Sequence, residues 1–234
     1  MQRYFVDIKD DEFILSKEQT HQILHVMHSR VGEELEFLNN GYIYRVLIKK
    51  TSPLTFELLS SNMADTELNG NLTLLYCLPK GNKLDFIIQK ATELGVKKII
   101  ILESSRTIKK INEDNIDKKK ERLYRIALEA SEQCGRAYIP TIIYGEDFKN
   151  IGNYTSQVNF IAYENEKKQP LSSRLVQNAS SCSILIGAEG GFSLDEVNYA
   201  LDKGFISISL GKRILRSETA VLYALSLLSS FLEE

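Results

Sequence analysis

From residue 72 onward, short apolar runs alternate with amphipathic stretches, and this alternation limits the fold more than any other feature of the chain. The runs are LTLLYC (72–77), VKKIIIL (96–102), TIIY (141–144), VNFIAYE (158–164), SILIG (183–187) and FISISL (205–210). Between them the spacing predicts helices over 84–94, 118–134, 171–177, 193–201 and 218–232. Gly95 stands at a natural helix stop, and Ser193 with Glu196 reads as a capping box. Strand–helix alternation of this kind predicts an α/β fold whose parallel or mostly parallel sheet is covered on both faces.

The first seventy residues read differently. Strand-like runs occur at 4–8, 35–38, 42–49 and 56–60, rich in β-branched and aromatic types. One helix interrupts them, capped by Ser16 and Gln19, with Ile23, Leu24, Met27 and Val31 as its apolar stripe. This pattern suggests a small barrel. Residues 61–71, SNMADTELNGN, read as a linker. The expected division is therefore 1–68 and 72–234.

No apolar run approaches the ~20 residues needed to span a bilayer. The N-terminus has no signal-peptide core, so a cytoplasmic location is expected. Cys77, Cys134 and Cys182 have no metal or redox spacing and read as reduced, mostly buried thiols. The net charge of −2 argues against a general nucleic-acid binder. Charge is nonetheless uneven: residues 1–70 hold 7 Lys and Arg against 11 Asp and Glu, and residues 80–136 hold 14 against 9. A basic middle on an acidic whole suits a local phosphate contact.

Two glycine-bearing turns follow apolar runs near the C-terminus. The first is Gly187-Ala188-Glu189-Gly190-Gly191-Phe192. It lacks both the Gly-Lys-Ser/Thr ending of a phosphate-binding P-loop and the GxGxxG spacing of a dinucleotide fold. The second, from Leu210 to Ala220, crowds Lys212, Arg213 and Arg216 before a helix start, where the helix dipole disfavours cations and an anionic partner would compensate. Two such turns can line one crevice at the carboxyl edge of a parallel sheet, where α/β folds place ligands. His21, His25 and His28 share helical spacing, but no carboxylate or cysteine joins them as a ligand set. They read as a solvated or RNA-facing surface, and no metal is expected.

Several blocks match one family. QRYF (2–5), QKATELGV (89–96), ESSR (103–106), EASEQCGR (129–136), IGAEGGFS (186–193) and SLGKRILRSETA (209–220) resemble the RsmE family of 16S ribosomal RNA uridine-N3 methyltransferases. The resemblance implies an N-terminal PUA-like barrel and a C-terminal SPOUT domain with a trefoil knot. It implies S-adenosylmethionine as methyl donor, a homodimer, and 16S rRNA in the small ribosomal subunit as partner. Carried over by position, the first cofactor turn uses Gly187, Gly190 and Gly191. The second uses Leu210, Gly211, Ile214, Leu215, Arg216, Glu218 and Thr219. Arg136, Arg216 and Glu189 are the candidate catalytic residues: arginine to stabilise a uridine anion, a carboxylate such as Glu189 or Glu218 as base. RNA contacts are expected from Arg3, His28, Arg30 and Arg106.

The chain departs from the family at three places. Ala188 stands for the usual proline, Met27-His28 for Leu-Arg, and Arg106-Thr107-Ile108 for Arg-Ser-Val. The alanine keeps the glycines in place; the histidine bears on RNA contact. A ribose 2′-O-methyltransferase of the same fold and a non-catalytic ribosome-assembly factor are the rival readings.

Overall fold

The structure is a computed structural model describing residues 1–10, 12–106, 115–175 and 179–233. Of the helix expected over 171–177 only a 3₁₀ turn, Leu171–Ser173, is present before the non-helical Arg174 and Leu175; residues 176–177, like Thr107 and Ile108, lie outside the described residues. The chain divides into two units, Met1–Glu67 with Ser131–Tyr138, and Leu68–Ala130 with Ile139–Glu234.

The N-terminal unit carries β1 (Arg3–Phe5), β2 (Asp7–Lys9), β3 (Glu12–Ile14), β4 (Glu34–Asn39), β5 (Tyr42–Thr51) and β6 (Leu54–Met63). β1, β4, β5 and β6 form a four-stranded sheet in that order, and β2 pairs with β3. Phe37 is fully buried at its centre, with Phe13 and Phe56 edge-on to its ring at 5.1 and 4.8 Å. β6 runs on to Met63, so only 64–70 of the expected linker is outside a strand.

The capping box at Ser16 is present and starts α1 (Lys17–His21). The apolar stripe, however, ends early. Helix α1 widens into a π-helical turn over Gln22–Val26, and His28 takes a left-handed backbone (φ 53°). The Ser29 amide then reaches back to the Ile23 carbonyl at 3.0 Å, a C-terminal cap that stops the helix before Val31. Ile23 is buried, while Met27 and Val31 are exposed.

Residues 131–138 end α3 (Ile116–Cys134) and pack within this same unit. Glu132 accepts the Phe5 amide at 3.0 Å. The Arg136 guanidinium pairs with Glu67 at 2.7 Å, its side chain only 3% exposed. Gly135 is left-handed (φ 82°), and a Cβ there would stand 2.6 Å from Arg3 Nη1. A side chain at 135 would strain the left-handed backbone and displace the Arg3 guanidinium.

The C-terminal unit is a six-stranded sheet of β7 (Asn71–Cys77), β8 (Lys98–Glu103), β9 (Thr141–Asp147), β10 (Val158–Ala162), β11 (Ser181–Ile186) and β12 (Ile206–Ile208). The order is β12-β10-β11-β7-β8-β9, and every adjacent pair is parallel. Alternate residues of each strand enter opposite cores. Leu74, Tyr76, Ile99, Ile101 and Ile184 face α2 (Lys83–Glu93), the body of α3 and α5 (Ser217–Glu233). Leu75, Ile100, Ile161 and Leu185 face α4 (Leu194–Asp202) and the 3₁₀ segment Phe148–Tyr154. Burial on both faces explains why these strands read as apolar runs instead of alternating ones. Cys77 and Cys182 are buried, and burial pushes their thiols up to about 12 and about 11.

Leu185 lies between Ile161 and Leu75 and is fully buried, whereas Leu201 on α4 is 43% exposed. Leu185→Ala should therefore cost about 2–5 kcal/mol, and Leu201→Ala well under half of that. Urea unfolding of both variants checks this; equal losses would contradict the placement of the second core.

Candidate active site

Strands β7, β8 and β9 build the sheet in one direction from β7, and β10, β11 and β12 lie on its other side. The order thus reverses at the β7–β11 pair, and the segments leaving the carboxyl ends of β7, β10, β11 and β12 converge there. They enclose a cavity of about 600 Å³, a size typical of small-molecule sites. Its walls are 162–164 and Lys167 after β10, 186–192 after β11, and 209–211 with 213–217 after β12, with Lys83 and Ala220 completing them.

The first turn closes by a hydrogen bond from the Gly191 amide to the Ala188 carbonyl at 3.0 Å. Gly191 is left-handed (φ 62°), and a Cβ there would stand 2.9 Å from the Glu164 carboxylate. Ser193 and Glu196 cap α4 reciprocally, as expected. Glu196 is buried and also reaches beyond its own helix. Its Oε1 accepts the Ser105 amide at 2.7 Å, tying the segment after β8 to the same helix start. Arg106 then donates to the Gly190 carbonyl at 2.6 Å.

Charge in the site is unevenly used. Lys83 Nζ lies 2.9 Å from both Glu189 and Glu218. The hydrogen bond to Glu189, then that to Glu218, raises the lysine above its ordinary pKa. Burial pushes the Glu189 carboxyl up, but bonds from Lys83 and from the Lys80 amide outweigh this and hold it below the usual value. Glu218 is held low first by its own amide at the start of α5, then by Lys83. Arg213 and Arg216 line the cavity, and among the described residues neither guanidinium has a hydrogen-bond or ion-pair partner.

A profile for the family described as RNA methyltransferase domain matches residues 66–229. The ribosomal RNA small subunit methyltransferase E of Bacillus subtilis (strain 168) is 32% identical, over 98% of this chain and 96% of that one. This chain belongs to the ribosomal RNA small subunit methyltransferase E family. The structure of the Neisseria gonorrhoeae member bound to S-adenosylmethionine matches with a TM-score of 0.86 at 26% identity, over 98% of this chain and 97% of that one. A Legionella pneumophila methyltransferase with bound S-adenosylmethionine matches with a TM-score of 0.87 at 26% identity, over 98% and 96%.

Of the residues that the family motifs pointed to, the cavity gathers Gly187, Glu189, Gly190, Gly191, Leu210, Gly211, Ile214, Leu215 and Arg216. Glu218 and Thr219 do not line it: Glu218 faces Lys83, and Thr219 is exposed on α5. The lining comes wholly from the C-terminal unit, whereas Arg136 belongs to the other and is held by Glu67. Arg3 pairs with Glu36 at 2.6 Å, and His28 and Arg30 are exposed in the same unit. Arg106 lines a smaller cavity of about 150 Å³ with Lys80 and Glu189. Lys83, Glu164 and Lys167 line the same cavity, and motif reading passed over all three. Lys83 sits in the KGNKLD stretch, immediately past the first apolar run, where carboxyl-edge logic would have found it.

Ionised Glu189 and Glu218 bind Lys83, and their folded pKa values are depressed. The stabilisation is therefore complete at neutral pH and is lost as pH falls through those depressed values. Replacing both with Gln should lower Tm at pH 7, with the gap closing in acid, below about pH 4. A gap of constant size down to low pH would refute the pairing. Separately, Gly191→Ala should lower Tm, by about 1–2 kcal/mol of lost stability, because the left-handed turn and Glu164 leave no room; calorimetric scans at pH 7 read both effects.

Proposed function

We propose that the chain is an S-adenosylmethionine-dependent methyltransferase that acts on N3 of a uridine in 16S ribosomal RNA of the small subunit. The single observation that carries this reading is the cavity between the two glycine-bearing turns at the sheet's reversal point. Its lining fits the donor. Apolar Ala162, Ile186, Leu210, Leu215 and Ala220 suit a flat adenine, and the Glu164 carboxylate with the Arg213 and Arg216 guanidiniums suits an amino-acid end with both charges. Residues 187, 190, 191, 210, 211, 214 and 215 would hold it. Bound there, S-adenosylmethionine supplies a methyl group already activated by its sulfonium.

The protein's part is then placement and charge. Uracil N3 carries a proton that must leave before or during attack, and the remaining base is anionic. Glu189 and Glu218 are poor bases, because both are ionised, paired and held below their ordinary pKa. Arg216 is the better-supported catalytic group: among the described residues its guanidinium at the cavity has no partner, and it stabilises the uracil anion while the N3 proton passes to solvent. Arg136, paired with Glu67, serves to hold the N-terminal unit together.

N3 lies on the base-pairing edge, so the uridine must be unpaired or flipped out. The N-terminal unit, as a PUA-like barrel spanning 1–68, would add RNA surface through Arg3, His28 and Arg30, and Arg106 would contact RNA beside the cavity. A SPOUT-type trefoil knot in 72–234 belongs to the same reading. A homodimer acting in the cytoplasm completes the reading; among the described residues no helix is long and apolar enough to cross a membrane.

Purified protein, S-adenosylmethionine and small ribosomal subunits from a strain lacking the modification should yield 3-methyluridine, identified by mass spectrometry of digested RNA. Arg216→Ala should lower turnover by about a hundredfold. A 2′-O-methylated nucleoside in place of 3-methyluridine would overturn the assignment of the target atom. No methylation at all would overturn the enzyme reading.

A further inference from the structure

Among the described residues no hydrogen bond or ion pair joins the 187–191 turn directly to the 209–217 turn. They leave β11 and β12, which are not neighbours: β10 lies between them. Their spacing is nevertheless what a ligand seated between them would feel. One side chain bridges them. Lys83, the first residue of α2, reaches Glu189 of the first turn and Glu218 just past the second, each at 2.9 Å.

The bridge is anchored at its base. The segment after β7 holds Glu189 a second time through the Lys80 amide at 3.2 Å. α2 shares the first core with α5, through Leu84, Ile87 and Ile88 against Val221 and Leu225. The Tyr76 hydroxyl, at the end of β7, lies 3.1 Å from Ser217 Oγ at the start of α5. The lysine therefore spans two fixed points from a fixed base.

We propose that Lys83 is a positioning residue, a latch that fixes the distance between the two turns and so sets affinity for the methyl donor. This rests on the cofactor reading above. Lys83 acts through Glu189 and Glu218 and has no part in the transfer itself. A latch of this kind stabilises the bound cofactor equally in the ground and transition states, so its loss raises KM and spares kcat.

The test is calorimetric titration of S-adenosylmethionine into the full chain, with steady-state methylation of small subunits alongside. The variants are Lys83→Met, Lys83→Arg, Glu218→Gln and the Lys83→Met/Glu218→Gln pair. Two partly exposed ion pairs together predict about tenfold weaker binding for Lys83→Met. KM for the cofactor should rise in step, with kcat at saturation unchanged within about twofold. Glu218→Gln should lose less, Lys83→Arg should restore most of the affinity, and the pair should be no worse than Lys83→Met alone. If Lys83→Met fails to fold, Glu218→Gln and Lys83→Arg still carry the test. Wild-type affinity in Lys83→Met, a fall confined to kcat, or losses that add in the pair would each overturn the latch. Wild-type protein that binds no S-adenosylmethionine would overturn the cofactor reading, and the latch with it.

Discussion

All six strands of the C-terminal sheet run the same way, and the rest of the site follows from that. Parallel pairing sends every carboxyl end to one edge. Both faces are sealed by apolar side chains, Ile184 and Ile101 on one and Leu185 and Ile100 on the other, so no face is open to a ligand. The edge is the remaining place, and the reversal of strand order at β7–β11 opens a gap there. Four connections drain into this gap, and each brings a different chemistry: Lys83 from one, Glu164 from another, the glycine turn from the third, and Arg213 with Arg216 from the fourth.

Pairing then sorts these charges into two kinds. Lys83 pairs with Glu189 and Glu218 and ties the walls together. Among the described residues the guanidiniums of Arg213 and Arg216 are left without a partner, at a place near a helix start where cations are disfavoured. An anionic partner removes that cost. The same logic separates Arg136 from Arg216. Both lie in family motif blocks of the sequence, but one guanidinium is consumed by Glu67 inside the N-terminal unit and the other faces the cavity.

Much of this was legible in the sequence. The parallel α/β sheet was, because strands buried on both faces must be apolar throughout, as LTLLYC and SILIG are. The two turns were, because glycine at 191 answers both a left-handed backbone and the Glu164 carboxylate. What escaped had other causes. The stripe of α1 was overextended because periodicity carries no information about a π turn or a cap at His28. Arg136, in the block EASEQCGR, was a candidate catalytic residue, and in the structure Glu132, Gly135 and Arg136 meet Phe5, Arg3 and Glu67. Those contacts join residues far apart in the chain, and no local pattern encodes them. The place of Lys83, just past the first apolar run, was legible, but its bridging role was not: that shows only once two distant carboxylates are seen around it.

The proposed reaction requires the methyl donor to sit in the cavity between the two turns. Amide hydrogen exchange, measured by mass spectrometry with and without saturating S-adenosylmethionine, tests this most directly. Exchange should slow in peptides covering 186–192 and 209–217, the segments that wall the cavity. Binding of the donor with both segments unchanged, and protection elsewhere in the chain, would contradict it.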